Sequence, residues 1–275
     1  LFQGMRWTGQ NPTNQVYAEG LSPAVSNSEI TIVENCFTNY LYSGVYVSST
    51  GNGHNWNISG NNFYQTLTPP PATSLTAISL LSGSSGNIVH DNSIGGSDSS
   101  RAGAPMTSTS AVAGIVLRVG GSALVPRTSV QNNVLSNIHS GGDAACTMIS
   151  ILQGKANIGT VTGNVIGGGA TAKDTIRVGF DADMIDVWSS DSVNVENNTI
   201  GRVTYYDGSG DRMVGIGLYG TGTYTVRNNT ISSITSNTIG NSLSGFPVIG
   251  IRNSDAGRFH ISGNTVYNVS NSKIG

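Results

Sequence analysis

Eight times along the chain the same six-residue pattern recurs: an apolar residue, Asn three positions later, and a second apolar residue two positions beyond that. A repeat of this kind constrains the fold more tightly than composition does. The matches run Ile32 to Phe37 around Asn35, Ile58 to Phe63 around Asn61, Val89 to Ile94 around Asn92, and Val130 to Leu135 around Asn133. They continue with Val161 to Ile166 around Asn164, Val195 to Ile200 around Asn198, Val226 to Ile231 around Asn229, and Ile261 to Val266 around Asn264. Successive asparagines stand 26, 31, 41, 31, 34, 31 and 35 residues apart. Between them lie short runs with apolar residues at every second position, such as Ile115/Leu117, Ile149/Ile151, Ile185/Val187, Ile216/Leu218 and Ile249/Ile251, and a period of two means strand. Several short strands per repeat, with Gly, Asn and Ser between them and no helical periodicity, predict an all-β parallel solenoid of about eight coils.

The repeated Asn suits a corner, because it tolerates the left-handed backbone region and its amide can both donate and accept. Stacked coils would bring Asn35, Asn61, Asn92, Asn133, Asn164, Asn198, Asn229 and Asn264 over one another as a structural amide ladder. At about 4.8 Å per coil the rod would be roughly 40 Å long. Cys36 and Cys146 would then lie about three coils, or roughly 14 Å, apart, beyond the roughly 7 Å that a disulfide spans, so two free thiols are expected.

This pattern resembles the right-handed parallel β-helix repeats of the pectate-lyase-like superfamily, in particular those of large secreted and surface proteins of bacteria. The likeness covers Ile30 to Val269. It implies a right-handed β-helix and leaves activity open, because that superfamily holds lyases, polygalacturonases, phage tailspikes, epimerases and non-catalytic adhesin stalks. A polygalacturonase resemblance would need Asn-Thr-Asp, paired-Asp, Gly-His-Gly and Arg-Ile-Lys motifs on successive coils, and none is present.

Residues 1–4 read as an expression-vector remnant, 5–28 as an N-terminal segment or partial cap, and 29–275 as the β-helix. With no amphipathic helix at either end, the chain reads as part of a longer polypeptide. Thirteen basic and 15 acidic side chains leave a net charge of −2, which gives no footprint for nucleic acid. No run approaches the 18 or so apolar residues of a membrane span, so no membrane insertion is expected of this segment.

The charge is uneven. Lys173 to Arg212 carries 12 of the 28 charged side chains within 40 positions, which singles out this stretch as the place to look for a site. Paired carboxylates can divide acid and base roles in glycoside hydrolysis, so Asp181 and Asp186 are the catalytic candidates, with Arg177 as the cation. Lys173 and Arg212 are further candidates for the base of a lyase. If Ile185 and Val187 face the core, alternation turns Asp186 outward and Asp183 inward. Trp188, Tyr205, Tyr206 and Arg212 are the expected sugar-binding groups, through stacking and hydrogen bonds. The stretch from Asp207 to Asp211 has alternate oxygen ligands but no later acidic residue, and reads as a glycine-rich turn. His54, His90, His139 and His260 show no zinc spacing, so no metal site is expected and calcium is the one cofactor the aspartates suggest.

The expected function is a non-catalytic segment of a secreted or cell-surface bacterial protein, a rigid spacer that binds a polysaccharide or cell-surface glycan. The rival is a polysaccharide lyase or glycoside hydrolase acting on an acidic polysaccharide near residues 173–212. A third reading is a phage tailspike fragment.

Overall fold

The computed structural model describes residues 1–3, 5–8, 14–19, 27–48, 53–122, 124–141, 145–168, 174–206, 212–236 and 248–271. Among them every strand pairing is parallel and no α-helix occurs. The chain is a β-solenoid of three stacked sheets. Sheet A holds nine strands, Phe2–Gln3, Thr31–Val33, Asn57–Ser59, Ile88–His90, Thr128–Gln131, Ala156–Ile158, Ser192–Glu196, Thr223–Arg227 and Arg258–Ser262. Sheet C holds eight, from Asn14–Glu19 through Cys146–Gln153, Ala182–Val187 and Met213–Leu218 to Val248–Asn253. Sheet B follows each ladder asparagine and takes up the coil-length variation. Its strand Thr199–Tyr205 pairs with both Val165–Gly167 and Ile176–Val178, two short strands of the neighbouring coil.

The repeat seen in the sequence is the seam between sheets A and B. Its first apolar residue faces the core from sheet A and its second from sheet B, so Ile32, Ile58 and Val89 stack in one column and Phe37, Phe63 and Ile94 in another. The rings of Phe37 and Phe63 lie 4.7 Å apart and 7° from parallel. The eight asparagines form one continuous ladder. Each Nδ2 donates to the Oδ1 of the next coil at 2.8–3.1 Å, beginning with Asn35 to Asn61 and ending with Asn229 to Asn264.

Four details depart from the sequence expectation or add to it. The left-handed residue of the corner is the one before the asparagine: Glu34, Gly60, Asp91, Asn132, Asn197, Asn228 and Gly263 have φ of 50–65°, and no ladder asparagine does. Two jobs assigned to one residue are therefore divided between neighbours, the bend to the first and the ladder to the second. In the coil of Asn164 the inward residue is Ile158, in register with Val130 and Val195. Val161 is instead 84% exposed, in a loop three residues longer than its neighbours that the Gln131 side chain holds by accepting the Val161 and Thr162 N–H groups at 3.0 and 3.2 Å. Phe2 and Gln3, read as lying outside the natural chain, pair with Ile32 and Val33 as a first rung. Met5 stands opposite the Asn35 position there, and its backbone N–H donates to Asn35 Oδ1 at 2.9 Å.

The fourth detail concerns the two aspartates of Ala182–Val187. Ala182, Met184, Ile185 and Val187 all lie in the core. Two consecutive inward residues, Met184 and Ile185, break the period of two at a bend in the strand. Asp183 consequently faces outward with Asp186 rather than inward. Cys36 and Cys146 are free thiols, and burial pushes the Cys146 thiol up to about 12, so it behaves as a small apolar core residue.

Candidate functional site

The outer face of sheet C over Ala182–Val187 and Met213–Leu218 gathers charged and aromatic side chains. In the register of this sheet Ser150, Asp186, Gly217 and Arg252 form one outward column. Gly217 has a specific task in it. A Cβ at that position would overlap the Tyr219 ring, so glycine lets Tyr219 fold back across the sheet. Trp188 and Tyr219 each directly follow the inward residues Val187 and Leu218, which are paired in register, and their rings stack at 4.6 Å and 28°.

Around this pair the charges are arranged tightly. Arg212 Nη2 meets Asp183 Oδ2 at 3.2 Å, its backbone N–H donates to Asp181 Oδ1 at 3.0 Å, and its guanidinium lies 5.1 Å from the Tyr219 ring centre. Arg252 lies 5.7 Å from the same ring, a second cation–π contact. Trp188 Nε1 donates to Asp186 Oδ2 at 3.0 Å. Asp183 and Asp186 are only 6% and 8% exposed although they point away from the core, while Trp188 is 48% exposed. One oxygen of each carboxylate, Asp183 Oδ1 and Asp186 Oδ1, has no hydrogen-bond partner, nor does Arg212 Nε. The Ser150 hydroxyl stands close to Asp186, and the Tyr219 hydroxyl, itself without a settled hydrogen-bond partner, close to Asp183.

Burial pushes the Asp186 carboxyl up to about 6; Asp183 adds to the rise, while Ser150, Trp188 and Arg212 oppose it. Burial and then Asp183 also push the Tyr219 hydroxyl well above the ordinary phenol range. The Asp186 shift fixes the sign of a stability effect. A carboxyl whose folded value exceeds its unfolded 3.8 favours folding most below the unfolded value, and that stability is lost as pH rises through about 6. Asp186→Asn is therefore expected to raise unfolding free energy by about 3 kcal/mol at pH 8 and to change it little at pH 4, since one pKa unit corresponds to about 1.4 kcal/mol. Urea titrations at both pH values check this, and an unchanged or lower value at pH 8 would refute the buried ionised carboxylate.

The residues expected to act together are thus only partly brought together. Asp181, Asp186, Trp188 and Arg212 meet on this face. Arg177 does not. It lies on sheet B, on the far side of the corner at 179–181, with its guanidinium 5.2 Å from the Tyr206 ring and His139 edge-on to that ring at 4.6 Å. Burial, and then Arg177, hold the His139 imidazole below its usual value. The cation beside the carboxylates is Arg212 instead, so Arg177 is withdrawn as their partner, and Tyr206 as part of the same cluster. Tyr205 is fully buried, because Val203 and Tyr205 are the inward residues of Thr199–Tyr205; it packs the core and offers no sugar a surface. Part of the charge run is spent on structure, since Arg227 Nε meets the buried Glu196 at 2.8 Å on sheet A. Lys173, Asp207, Ser209 and Asp211 lie outside the described residues.

Sequence reasoning missed Tyr219 and Arg252, and it misplaced Asp183. The signal for Tyr219 was present: it follows Leu218 as Trp188 follows Val187. Among the described residues no three His, Cys, Asp or Glu side chains are grouped to hold a metal ion. What the face can do is stack a flat apolar surface on the half-exposed Trp188, with two carboxylates buried beside it. No protein-family model, curated protein or solved structure matches the chain, and what is shown of the expected family is the parallel β-solenoid architecture alone.

Proposed function

We propose that this chain is a rigid β-solenoid segment of a secreted or cell-surface protein that binds glycan through the outer face of sheet C around Trp188. The observation that carries the reading is the half-exposed Trp188 indole, stacked on Tyr219 and set beside two carboxylates that each keep an oxygen without a partner. A pyranose presents one face of C–H groups and a rim of hydroxyls, which complement an aromatic face and acceptor oxygens respectively. The solenoid supplies the spacing: each coil adds about 4.8 Å, and many displayed copies would turn weak single contacts into avidity.

The test is binding of the purified chain and Trp188→Ala to a panel of immobilised oligosaccharides. The reading expects the wild type to retain at least one glycan and the variant to bind it at least tenfold more weakly, because an aromatic contact is worth about 1.5 kcal/mol. Melting curves should show both proteins folded at the assay temperature, with the variant melting lower because it loses the Tyr219 stack and the Asp186 hydrogen bond. Equal retention of the two, or none by the wild type, would sink the reading.

One observation favours a second reading, hydrolysis. A carboxyl held at about 6 beside another carboxylate is the division of labour by which glycosidases protonate a leaving group and activate water. New reducing ends released from the same panel by the wild type, and not by Asp186→Asn, would establish it.

A further inference from the structure

We infer that the glycan held at this face is a neutral, hydroxyl-rich oligosaccharide and not a polyuronate. The inference rests on the glycan-binding reading and concerns the chemical class of its ligand. It follows from counting what the face still needs.

The unmet groups are two carboxylate oxygens, Asp183 Oδ1 and Asp186 Oδ1, one guanidinium N–H, Arg212 Nε, and the Tyr219 hydroxyl, which can donate or accept. Asp186 is more than nine-tenths buried, and a buried acceptor without a donor is costly to keep. A group that completes this set must donate at least twice and accept at least once, at neighbouring positions. Vicinal hydroxyls do so, since each O–H both donates and accepts. A carboxylate cannot, because it only accepts; a uronate would have to meet both oxygens through its ring hydroxyls, with its own carboxylate brought close to them.

The charges point the same way. Asp181, Asp183 and Asp186 stand against two cations, Arg212 and Arg252. Arg212 is paired with Asp183 and lies over Tyr219, and Arg252 lies 5.7 Å from the same ring. A uronate would add a further anion to a face that already carries an excess negative charge, next to carboxylates with little solvent to screen them. Arg177, which would have offset such a charge, faces sheet B. Reaching the two oxygens requires a shift of the Trp188 and Tyr219 rings beside them, so Trp188 emission reports the event.

The experiment is a titration of the full chain at pH 7.5, followed by tryptophan emission and by calorimetry. The probes are cellohexaose, mannohexaose and xylohexaose on one side, and hexagalacturonate and hexaguluronate on the other. At least one neutral hexamer is expected to bind ten times more tightly than either acidic one. Asp183→Asn and Asp186→Asn are each expected to weaken it about tenfold, as charge-assisted hydrogen bonds become neutral ones. Melting curves confirm that each variant is folded, and Asp186→Asn serves if Asp183→Asn is not. An acidic hexamer that binds more tightly than every neutral one, and loses binding in Trp188→Ala, would overturn the ligand class and leave the site standing. Unchanged affinity in the folded Asn variants would likewise overturn it. No binding by any probe would bring down the ligand class and the glycan reading together.

Discussion

Asn133→Ala is expected to lower the unfolding free energy by about 4 kcal/mol or more, a large change for one surface-distant polar side chain. Asn133 is fully buried. Its Oδ1 accepts from the backbone N–H and the Nδ2 of Asn92 at 3.1 and 2.9 Å, and its Nδ2 donates to Val89 O and to Asn164 Oδ1 at 2.9 Å each. Alanine removes one residue's amide and leaves groups of Asn92, Val89 and Asn164 without it. Each buried group left unsatisfied costs about 1–3 kcal/mol. The loss should exceed that of Asn132→Ala by several fold. Asn132 occupies the left-handed corner position, and its side chain donates at the exposed edge to Asp91 at 2.5 Å. Urea unfolding of both variants makes the comparison, and similar small losses would show that the ladder does not hold the coils together.

Gly114→Val is expected to cost about 3 kcal/mol or to prevent folding. Gly114 occupies an inward column of sheet C at the bend of each strand, in register with Met148. A Cβ there would overlap Leu135 Cδ2, which reaches across from sheet B, and would stand 2.5 Å from the Met148 carbonyl oxygen. The leucine tip has some freedom, but the carbonyl belongs to the adjacent strand and is fixed by the ladder of hydrogen bonds. Forced overpacking of a core typically costs about 1–3 kcal/mol, and more when backbone is the obstacle. Thermal melts of Gly114→Val beside Ala113→Val, one residue away on the outer face, separate this close approach from a general dislike of bulk. Equal melting temperatures would mean that sheets B and C are not in contact at this point.

The two substitutions mark what was and was not legible in the sequence. The Asn ladder was readable because one residue type recurs at one position, and a hydrogen-bonded ladder tolerates almost no other side chain. The bend of sheet C was not, because its inward column is chemically mixed: Gly44, Ala77, Gly114, Met148, Met184, Gly215 and Gly250 occupy it. What these residues share is a place before an inward Val or Ile, and that pair, two inward residues in succession, contradicts simple alternation. The misplacement of Asp183 follows directly from it. Val161 deceived for another reason, since an apolar residue three before an asparagine satisfies the pattern whether or not the backbone loops out first. Only the register of Ile158 with its neighbours decides.

The same logic runs through the site. Composition located the right stretch of chain, and Asp186, Trp188 and Arg212 were named from it. The partners on the next coils, Tyr219 and Arg252, lie 31 and 66 residues beyond Trp188 and Asp186 in sequence, and are neighbours only because the coils stack in register. Gly217 in the same column reads as a turn former, yet its use is to make room for a ring. Tyr205 and Tyr206 were indistinguishable by composition, and the strand that carries them turns one into the core and leaves the other on sheet B.

The central claim is that glycan meets the protein at Trp188, and the chain's three tryptophans allow it to be tested directly. Indole N–H signals in a two-dimensional NMR spectrum report each ring separately. The Trp56 indole is a built-in reference, buried with its Nε1 donating to Asn27 O. Titration with the tightest-binding neutral hexamer should shift the Trp188 signal progressively and saturably while the Trp56 signal stays in place. A Trp188 signal that does not move at saturating oligosaccharide would contradict the account.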